Sequence, residues 1–152
     1  MRPARPDEAE AIGALVEAAF SRHVAAVGRR PAPMDDDHAA RIAQGQQYVV
    51  DDEDTPGTPA ASIVLVDEGD HLVVNNVAVA PDRQRQGHGR ALLAFAEDEA
   101  RRRGLPEIRL HTHARMADNL IMYPRLGYVE MGRETQGGFD RVLFVKALSG
   151  HP

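Results

Sequence analysis

Residues 84–90 carry the residue types in this chain that are best suited to binding an anion. Gly87 and Gly89 lack the Cβ atoms that block close approach to a backbone, so N–H groups there can converge on an anion. Arg85 and Arg90 flank the glycines and add full positive charge. The preceding residues predict a β-strand and a turn, and the following ones predict a helix whose N-terminal dipole attracts the same anion. The segment therefore predicts a pyrophosphate site.

The pattern excludes two common nucleotide-binding loops. A dinucleotide-binding fingerprint needs a third glycine where this chain has Leu92, and a P-loop needs a Gly-Lys-Ser/Thr triplet that does not follow Gly87. The spacing instead resembles the Gln/Arg-x-x-Gly-x-Gly/Ala loop of the GNAT superfamily of N-acetyltransferases, which holds the pyrophosphate of acetyl-coenzyme A. The resemblance implies cofactor contacts along the whole loop: Gln84, Arg85, Gln86, Gly87, His88, Gly89 and Arg90.

Residues 119–128 resemble the later signature of the same family. Asn119 opens a predicted helix, Tyr123 follows one turn later, and a Leu-Gly-Tyr triplet closes the segment. Gly127 equally suits the end of an ordinary amphipathic helix. The two signatures lie in the family's order, with room for one helix and one strand between them. The resemblance covers nearly the whole chain, although the first sixty residues match only in pattern, and it assigns Asn119 to the cofactor site.

Composition limits the class of protein. The chain has 152 residues, 43% of them hydrophobic and 27% charged, which predicts one domain spanning residues 1–152. No apolar run approaches the roughly 20 residues of a membrane span, and the first residues do not resemble a signal peptide. The chain has no cysteine, which excludes disulfides, thiolate zinc sites and a cysteine nucleophile and favours a cytoplasmic location. The net charge of −5 argues against a nucleic-acid-binding protein.

Charged residues are unevenly distributed. Acidic runs at 35–37 and 51–54 are either solvated loops or loops that draw a cationic amine towards a cleft. Basic residues concentrate between Arg83 and Arg103, where an anionic cofactor would dock. Within that stretch, we interpret Arg101–Arg103 as residues that stabilise the C-terminal end of a helix.

Hydrophobic spacing and turn residues predict the elements that position these motifs. The predicted helices are 6–23, 36–44, 89–103 and 119–126, and the predicted strands are 46–51, 60–67, 71–79, 107–113, 128–134 and 140–147. Proline and glycine predict breaks at 29–33, 56–59, 68–70 and 136–138. With the resemblance, this order implies an α/β (α+β) fold: a single GNAT-like domain whose mixed, mostly antiparallel sheet has a splayed parallel central pair and flanking helices, with the first strand nearly absent.

The resemblance also implies how the cofactor is used. The backbone of Val77 and Val79 would pair with the pantetheine arm as an inserted strand does, and an N–H near Val79 would polarise the thioester carbonyl. Tyr123 would act as the general acid, since a phenol with a pKa near about 10 can protonate a leaving thiolate. Pro124 departs from the family's usual Glu or Lys and puts the orientation of Tyr123 in question.

The general base is harder to assign. Many family members carry a glutamate near the position of Asn75, but Asn75 and Asn76 are amides and cannot accept a proton as a base. His111 and His113 share one face of a predicted strand, and His111 is our candidate base, acting directly or through water. The alternatives are two buried, hydrogen-bonded histidines, or a His-x-His metal site, which lacks an evident third ligand, so we expect no metal.

The motifs together predict an enzyme that transfers the acetyl group of acetyl-CoA to a primary amine of a small molecule or peptide. Without a cysteine to carry the acyl group, the amine would attack directly in a ternary complex. The alternative is a catalytically impaired acyl-CoA-binding module with a regulatory or interaction role. We expect neither nucleic acid nor membrane as a partner, and the resemblance allows a homodimer.

Overall fold

A computed structural model describes residues 1–21, 24, 28, 32–55, 57–136 and 139–148. The end of the first predicted helix and parts of the predicted breaks at 29–33, 56–59 and 136–138 lie outside these residues. The strands are β1 (Arg2–Pro3), β2 (Gln47–Asp51), β3 (Pro59–Asp67), β4 (Leu72–Val79), β5 (Glu107–His113), β6 (Val129–Gln136) and β7 (Phe139–Ala147). The α-helices are α1 (Ala9–Phe20), α2 (His38–Ala43), α3 (His88–Arg102) and α4 (Ala117–Arg125), and Pro6–Glu8, Ala32–Asp35 and Pro81–Arg83 form 3₁₀ turns.

The chain begins with a short strand rather than directly with the predicted helix over 6–23. β1 has two residues, as the resemblance implied for the first strand, and pairs with β2. The helix is divided, because Pro6–Glu8 form a 3₁₀ turn before α1 begins at Ala9. Glu8 explains the division. Its carboxylate accepts a hydrogen bond from the backbone N–H of Arg5 at 2.7 Å and forms an ion pair with Arg2 at 2.8 Å.

The sheet has the strand order β1-β2-β3-β4-β5-β7-β6. All neighbouring strands are antiparallel except β4 and β5, which are parallel. That parallel pairing joins Leu72–Val74 to Ile108–Leu110, and the remaining residues of the two strands are not paired with each other. The predicted α/β fold, with a splayed parallel central pair in a mostly antiparallel sheet, is confirmed.

A β-bulge at Asn75 lies where the parallel pair separates. Val74 is opposite Leu65 and Asn76 is opposite Val64, so Asn75 is an extra residue on β4. A bulge bends its strand and re-aims the side chains that follow. Here the residues beyond Asn75 change face relative to Val74, and the strand turns away from β5.

Each face of the sheet has its own core. On one face, α3 and α4 pack Leu92 and Tyr123 against β-strand residues such as Leu65 and Leu110. On the other face, α1 packs Ile12 and its neighbours against residues that include Val49 and Ala78. No helix in the described part of the chain is both long enough and apolar enough to cross a membrane.

Candidate active site

The gap between β4 and β5 exposes backbone groups that pair with neither neighbouring strand. In an antiparallel pair, alternate residues direct both N–H and C=O towards the partner strand. The N–H of Ala80 donates to the C=O of Ala60 at 2.8 Å, so Ala78 shares this direction towards β3. The N–H and C=O groups of Val77 and Val79 therefore point the other way, into the gap. An extended chain that carries amides could pair with them as an added strand.

The predicted pyrophosphate loop lies at the end of this gap. Gly87 has φ 85°, a left-handed conformation that favours glycine, and α3 begins at the next residue. Gln84 Nε2 donates to the C=O of Val79 at 3.2 Å, which ties the loop to the end of β4. Neither Arg85 nor Arg90 has an ion pair within the described ranges, so both guanidinium groups remain available to an anion. Six of the seven loop residues line one cleft, and Gln86 does not.

The acidic run at 51–54 does not face the cleft. Arg83 donates to Asp52 at 2.9 and 3.0 Å and to Asp54 at 2.9 Å, which fixes the turn before the glycine loop. None of residues 51–54 lines the cleft, so the structure gives the run a role in holding this turn and does not support its interpretation as a loop that draws an amine. Asp36 of the other run does line the cleft, where Arg41 pairs with it at 3.0 Å.

The cleft has a volume of about 1030 Å³. It is lined both by residues predicted to bind the cosubstrate and by residues predicted to transfer protons. Val77, Val79, Asn119, Tyr123 and His111 all line it. Side chains alternate along a strand, so His111 lies on the face opposite its neighbour Leu110. Leu110 and Tyr123 belong to the core on the α3 side, and His111 consequently faces the α1 side. The candidate acid and candidate base thus approach the gap from opposite faces of the sheet.

Tyr123 is held firmly in the cleft wall. Its ring centroid lies 5.6 Å from that of Tyr128 and 5.6 Å from that of Phe144. Burial raises the pKa of its phenol to about 12, so the phenol stays protonated at neutral pH. Pro124 does not displace it, since α4 continues to Arg125.

Asn119 has a structural contact as well as a place in the cleft. Its Nδ2 donates to Thr112 Oγ1 at 3.0 Å, which ties α4 to β5. This hydrogen bond gives Asn119 a structural role that does not require the cofactor. Its contact with the cofactor stays a prediction.

The two candidate histidines differ in their partners. His113 Nδ1 accepts the backbone N–H of Arg115 at 3.1 Å, which fits the reading of a hydrogen-bonded histidine. His111 Nε2 lies 3.7 Å from Glu134 Oε1, and Arg141 Nη1 lies 3.9 Å from the same oxygen. Burial lowers the pKa of His111, Arg141 lowers this pKa further, and Glu134 opposes them. His111 is therefore neutral at neutral pH, as a base must be.

A metal site finds no support in the described residues, where no group of three or more His, Asp or Glu side chains could hold an ion. The cleft instead contains a residue that the sequence did not single out as a binding group. Asn76 is 6% exposed, and neither polar atom of its side chain has a hydrogen-bond partner in the described part of the chain. Burial alternates along β4 through Leu72, Val74, Asn76 and Ala78, so alternation marks position 76 as buried but gives no sign that its side chain lacks a partner.

Comparison with known proteins agrees with this geometry. The model of the Acetyltransferase (GNAT) family matches residues 10–128. The chain belongs to the GNAT family. Over 87 residues it is 37% identical to the [Ribosomal protein bS18]-alanine N-acetyltransferase of Escherichia coli strain K12, a match that covers 57% of this chain and 59% of that protein. The match thus spans less than two thirds of the curated relative.

Solved GNAT structures share the fold over almost the whole chain. The crystal structure of the ribosomal-protein-S18-alanine N-acetyltransferase from Escherichia coli has a TM-score of 0.74 at 22% identity, covering 99% of this chain and 94% of that one. PaiA N-acetyltransferase from Thermoplasma acidophilum, solved in complex with coenzyme A, has a TM-score of 0.78 at 15% identity, covering 96% of both chains. These likenesses support the GNAT fold.

The glycine loop of this GNAT chain gives a first prediction. A Cβ at Gly89 would meet nothing within 4 Å, and Gly89 has no positive φ, so Gly89→Leu adds bulk without straining the backbone. The added side chain would occupy the space that a pyrophosphate needs beside the α3 N-terminus. We expect calorimetric affinity for CoA to fall by roughly tenfold or more, as for the loss of a hydrogen bond to a charged group.

Ala94→Leu is the matched control for Gly89→Leu. Ala94 is exposed on the same helix and does not line the cleft, so the same bulk there should leave CoA affinity unchanged. Equal CoA affinities for Gly89→Leu and the parent protein would remove the loop from the cofactor site.

Proposed function

We propose that this chain transfers the acetyl group of acetyl-CoA to a primary amine. The observation that carries the proposal is the gap between β4 and β5. It is lined by the backbone groups of Val77 and the N–H of Val79. Arg85 and Arg90, which have no ion pair within the described residues, lie at its end, and the candidate acid and base stand on its opposite faces. This arrangement suits a substrate with a pyrophosphate, an amide-bearing arm and a reactive carbonyl in that order.

The cosubstrate would lie with its pyrophosphate at the glycine loop and its pantetheine amides along Val77 and Val79. The loop offers the α3 N-terminus and two guanidinium groups to the phosphates. An N–H that points into the gap from β4 would polarise the thioester carbonyl. Coenzyme A is the ligand of the PaiA structure, which supports the same cosubstrate here.

The transfer would be a direct displacement. The neutral amine nitrogen attacks the thioester carbonyl carbon, a C–N bond forms, and the C–S bond breaks. His111 takes the proton that the amine nitrogen releases, and Tyr123 gives its proton to the departing sulfur. Both groups then return to their starting states by exchanging one proton with solvent, so the products are an N-acetyl amide and free CoA. The chain has no cysteine to carry the acetyl group, which supports attack in a ternary complex.

The acceptor is a primary amine of a small molecule or peptide. The curated relatives are named for a ribosomal-protein alanine, so a peptide amine belongs among the acceptors tested. Homodimerisation and a cytoplasmic location stay predictions.

Release of free CoA from acetyl-CoA, measured with a panel of amines, tests the proposal. We expect release that depends on both the protein and a particular amine, with one acetylated amine formed per CoA. The alternative, a catalytically impaired acyl-CoA-binding module, predicts binding of acetyl-CoA without release above the uncatalysed rate for any amine. That result, obtained with polyamines, aminoglycosides, amino acids and peptides, would overturn the enzymatic proposal.

A further inference from the structure

Asn76 lies in the wall of the cleft as a buried amide with unmade hydrogen bonds. Its residue is 6% exposed, and both Nδ2 and Oδ1 lack a partner within the described ranges. Buried polar side chains in folded proteins are nearly always hydrogen-bonded, because an unpaired one is costly. An amide that is costly to bury unpaired, beside a substrate cleft, indicates that its partner arrives with the substrate.

The bulge determines the face of the sheet on which the side chain of Asn76 lies. Asn76 and Ala78 are two residues apart and therefore lie on the same face of β4, and Ala78 packs in the core beneath α1. His111 faces the same side from β5, whereas Tyr123 belongs to the opposite face. Asn76 and the candidate base therefore border the side from which the amine would enter, and the leaving thiolate would be protonated on the other side.

Asn76 would also lie close to the reacting atoms. A cosubstrate that starts at the glycine loop passes Val79 before Val77, so its thioester end would lie near Val77, whose Cα is about 3.8 Å from that of Asn76. A substrate group that pairs with Asn76 must therefore be attached within a few bonds of the attacking nitrogen. This places the recognised group close to the amine and not at the far end of a long chain.

The chemistry of that group follows from the two unmade bonds. An amide side chain offers one acceptor and one donor together. A carboxylate would use only the donor, and a second ammonium group would use only the acceptor. The second residue of an extended peptide directs its N–H and its C=O to the same side, so it can give the C=O to Nδ2 and the N–H to Oδ1 and satisfy both.

We propose that Asn76 turns its amide into the cleft and pairs with the N–H and C=O of the acceptor's second residue, which makes the acceptor an α-amine of a peptide. This inference rests on the proposed acetyl transfer and names its substrate class. It excludes polyamines and free amino acids as preferred acceptors, since each leaves one atom of Asn76 unpaired.

Two nearly identical acceptors test the pairing: alanyl-alanine N-methylamide and its ester analogue, in which lactate replaces the second alanine. They share the amine, the side chains and the carbonyl groups, and differ in a single N–H that the ester replaces with oxygen. We expect kcat/KM for the amide to exceed that for the ester by roughly tenfold, the effect of one buried hydrogen bond. The comparison is made above the α-amino pKa of about 8, so both amines are neutral.

Asn76→Leu should abolish this preference, because leucine has a similar size and can make neither bond. Ser62→Ala is the matched control: Ser62 Oγ is also buried on a neighbouring strand without a partner, but Ser62 does not line the cleft. The control should keep the full preference for the amide. Equal rates for amide and ester in the parent protein, or an undiminished preference in Asn76→Leu, would overturn the inference, since a buried water would then be the partner of Asn76.

A binding measurement separates this inference from the proposed function. The side-chain amide resonance of Asn76, assigned by its loss in Asn76→Leu, is followed by NMR while each compound is added to the CoA complex. A shift with the amide alone supports the pairing even if neither compound is acetylated, a result that would sink only the enzymatic proposal. If neither compound shifts the resonance, the pairing is overturned. If both compounds are acetylated at equal rates, the pairing is overturned while the enzymatic proposal stands.

Discussion

Replacing Tyr123 by phenylalanine is expected to lower kcat by roughly 10²–10⁴-fold, the usual contribution of a general acid. The phenol would deliver its proton to the departing thiolate, an anion that the buried cleft disfavours. Phenylalanine keeps the ring contacts with Tyr128 and Phe144, each 5.6 Å between centroids, so the fold should be retained. The KM for acetyl-CoA should change much less than kcat, because the hydroxyl acts after the cosubstrate has bound. Steady-state release of CoA measures both.

Tyr128→Phe is an unusually close control for Tyr123→Phe. The two rings are in contact, and the Tyr128 hydroxyl is buried without a partner in the described residues, yet Tyr128 does not line the cleft. Both variants lose one buried phenolic hydroxyl from the same cluster, so only a catalytic role separates them. We expect Tyr128→Phe to keep the parent kcat. If Tyr123→Phe behaved in the same way, Tyr123 would be a packing residue only.

The sequence was sufficient for those parts of the site that depend on neighbouring residues. The glycine loop and the Leu-Gly-Tyr turn are local signals, because a positive φ favours glycine, and both Gly87 and Gly127 have that conformation. Alternation correctly placed His111 and His113 on one face of β5, and both are less buried than Ile108, Leu110 and Thr112 on the other face. These predictions needed no knowledge of what packs on the other side of the sheet.

Long-range pairing was beyond the sequence. The point at which β4 leaves β5 is set by the register of Val74 against Leu110 and by the extra residue at Asn75, and neither has a local signature. For the same reason Asn76 was considered only as an amide unsuited to act as a base. The use of Asp52 to hold Arg83, across 31 residues of sequence, likewise appears only once β2 and the glycine loop are adjacent. The first helix was predicted as continuous because Pro6 suits a helix N-terminus, whereas the ion pair of Glu8 with Arg2 favours a separate turn.

Replacing His111 by alanine is expected to remove one limb of the pH–rate profile. If neutral His111 accepts the amine proton, kcat/KM rises with pH as His111 loses its own proton. Burial and Arg141 lower the pKa of His111, so this rise should lie below the ordinary histidine value of about 6.5. The sequence alone led us to expect a rise near neutrality, and the surroundings of His111 move that expectation to lower pH. Above the rise, the rate would still follow the neutral fraction of the amine.

Glu134→Gln tests the assignment of His111 as the base, through the direction in which it shifts the pKa of His111. The Glu134 carboxylate raises the pKa of His111, so its removal should move the His111 limb to still lower pH without abolishing it. His111→Ala should instead eliminate the limb and lower the rate, by up to roughly 10²–10⁴-fold for a base that acts directly. A purely structural histidine predicts no such pair of effects, because a loss of packing lowers the rate equally at every pH. Identical profiles for the parent protein and His111→Ala would show that His111 does not take the amine proton.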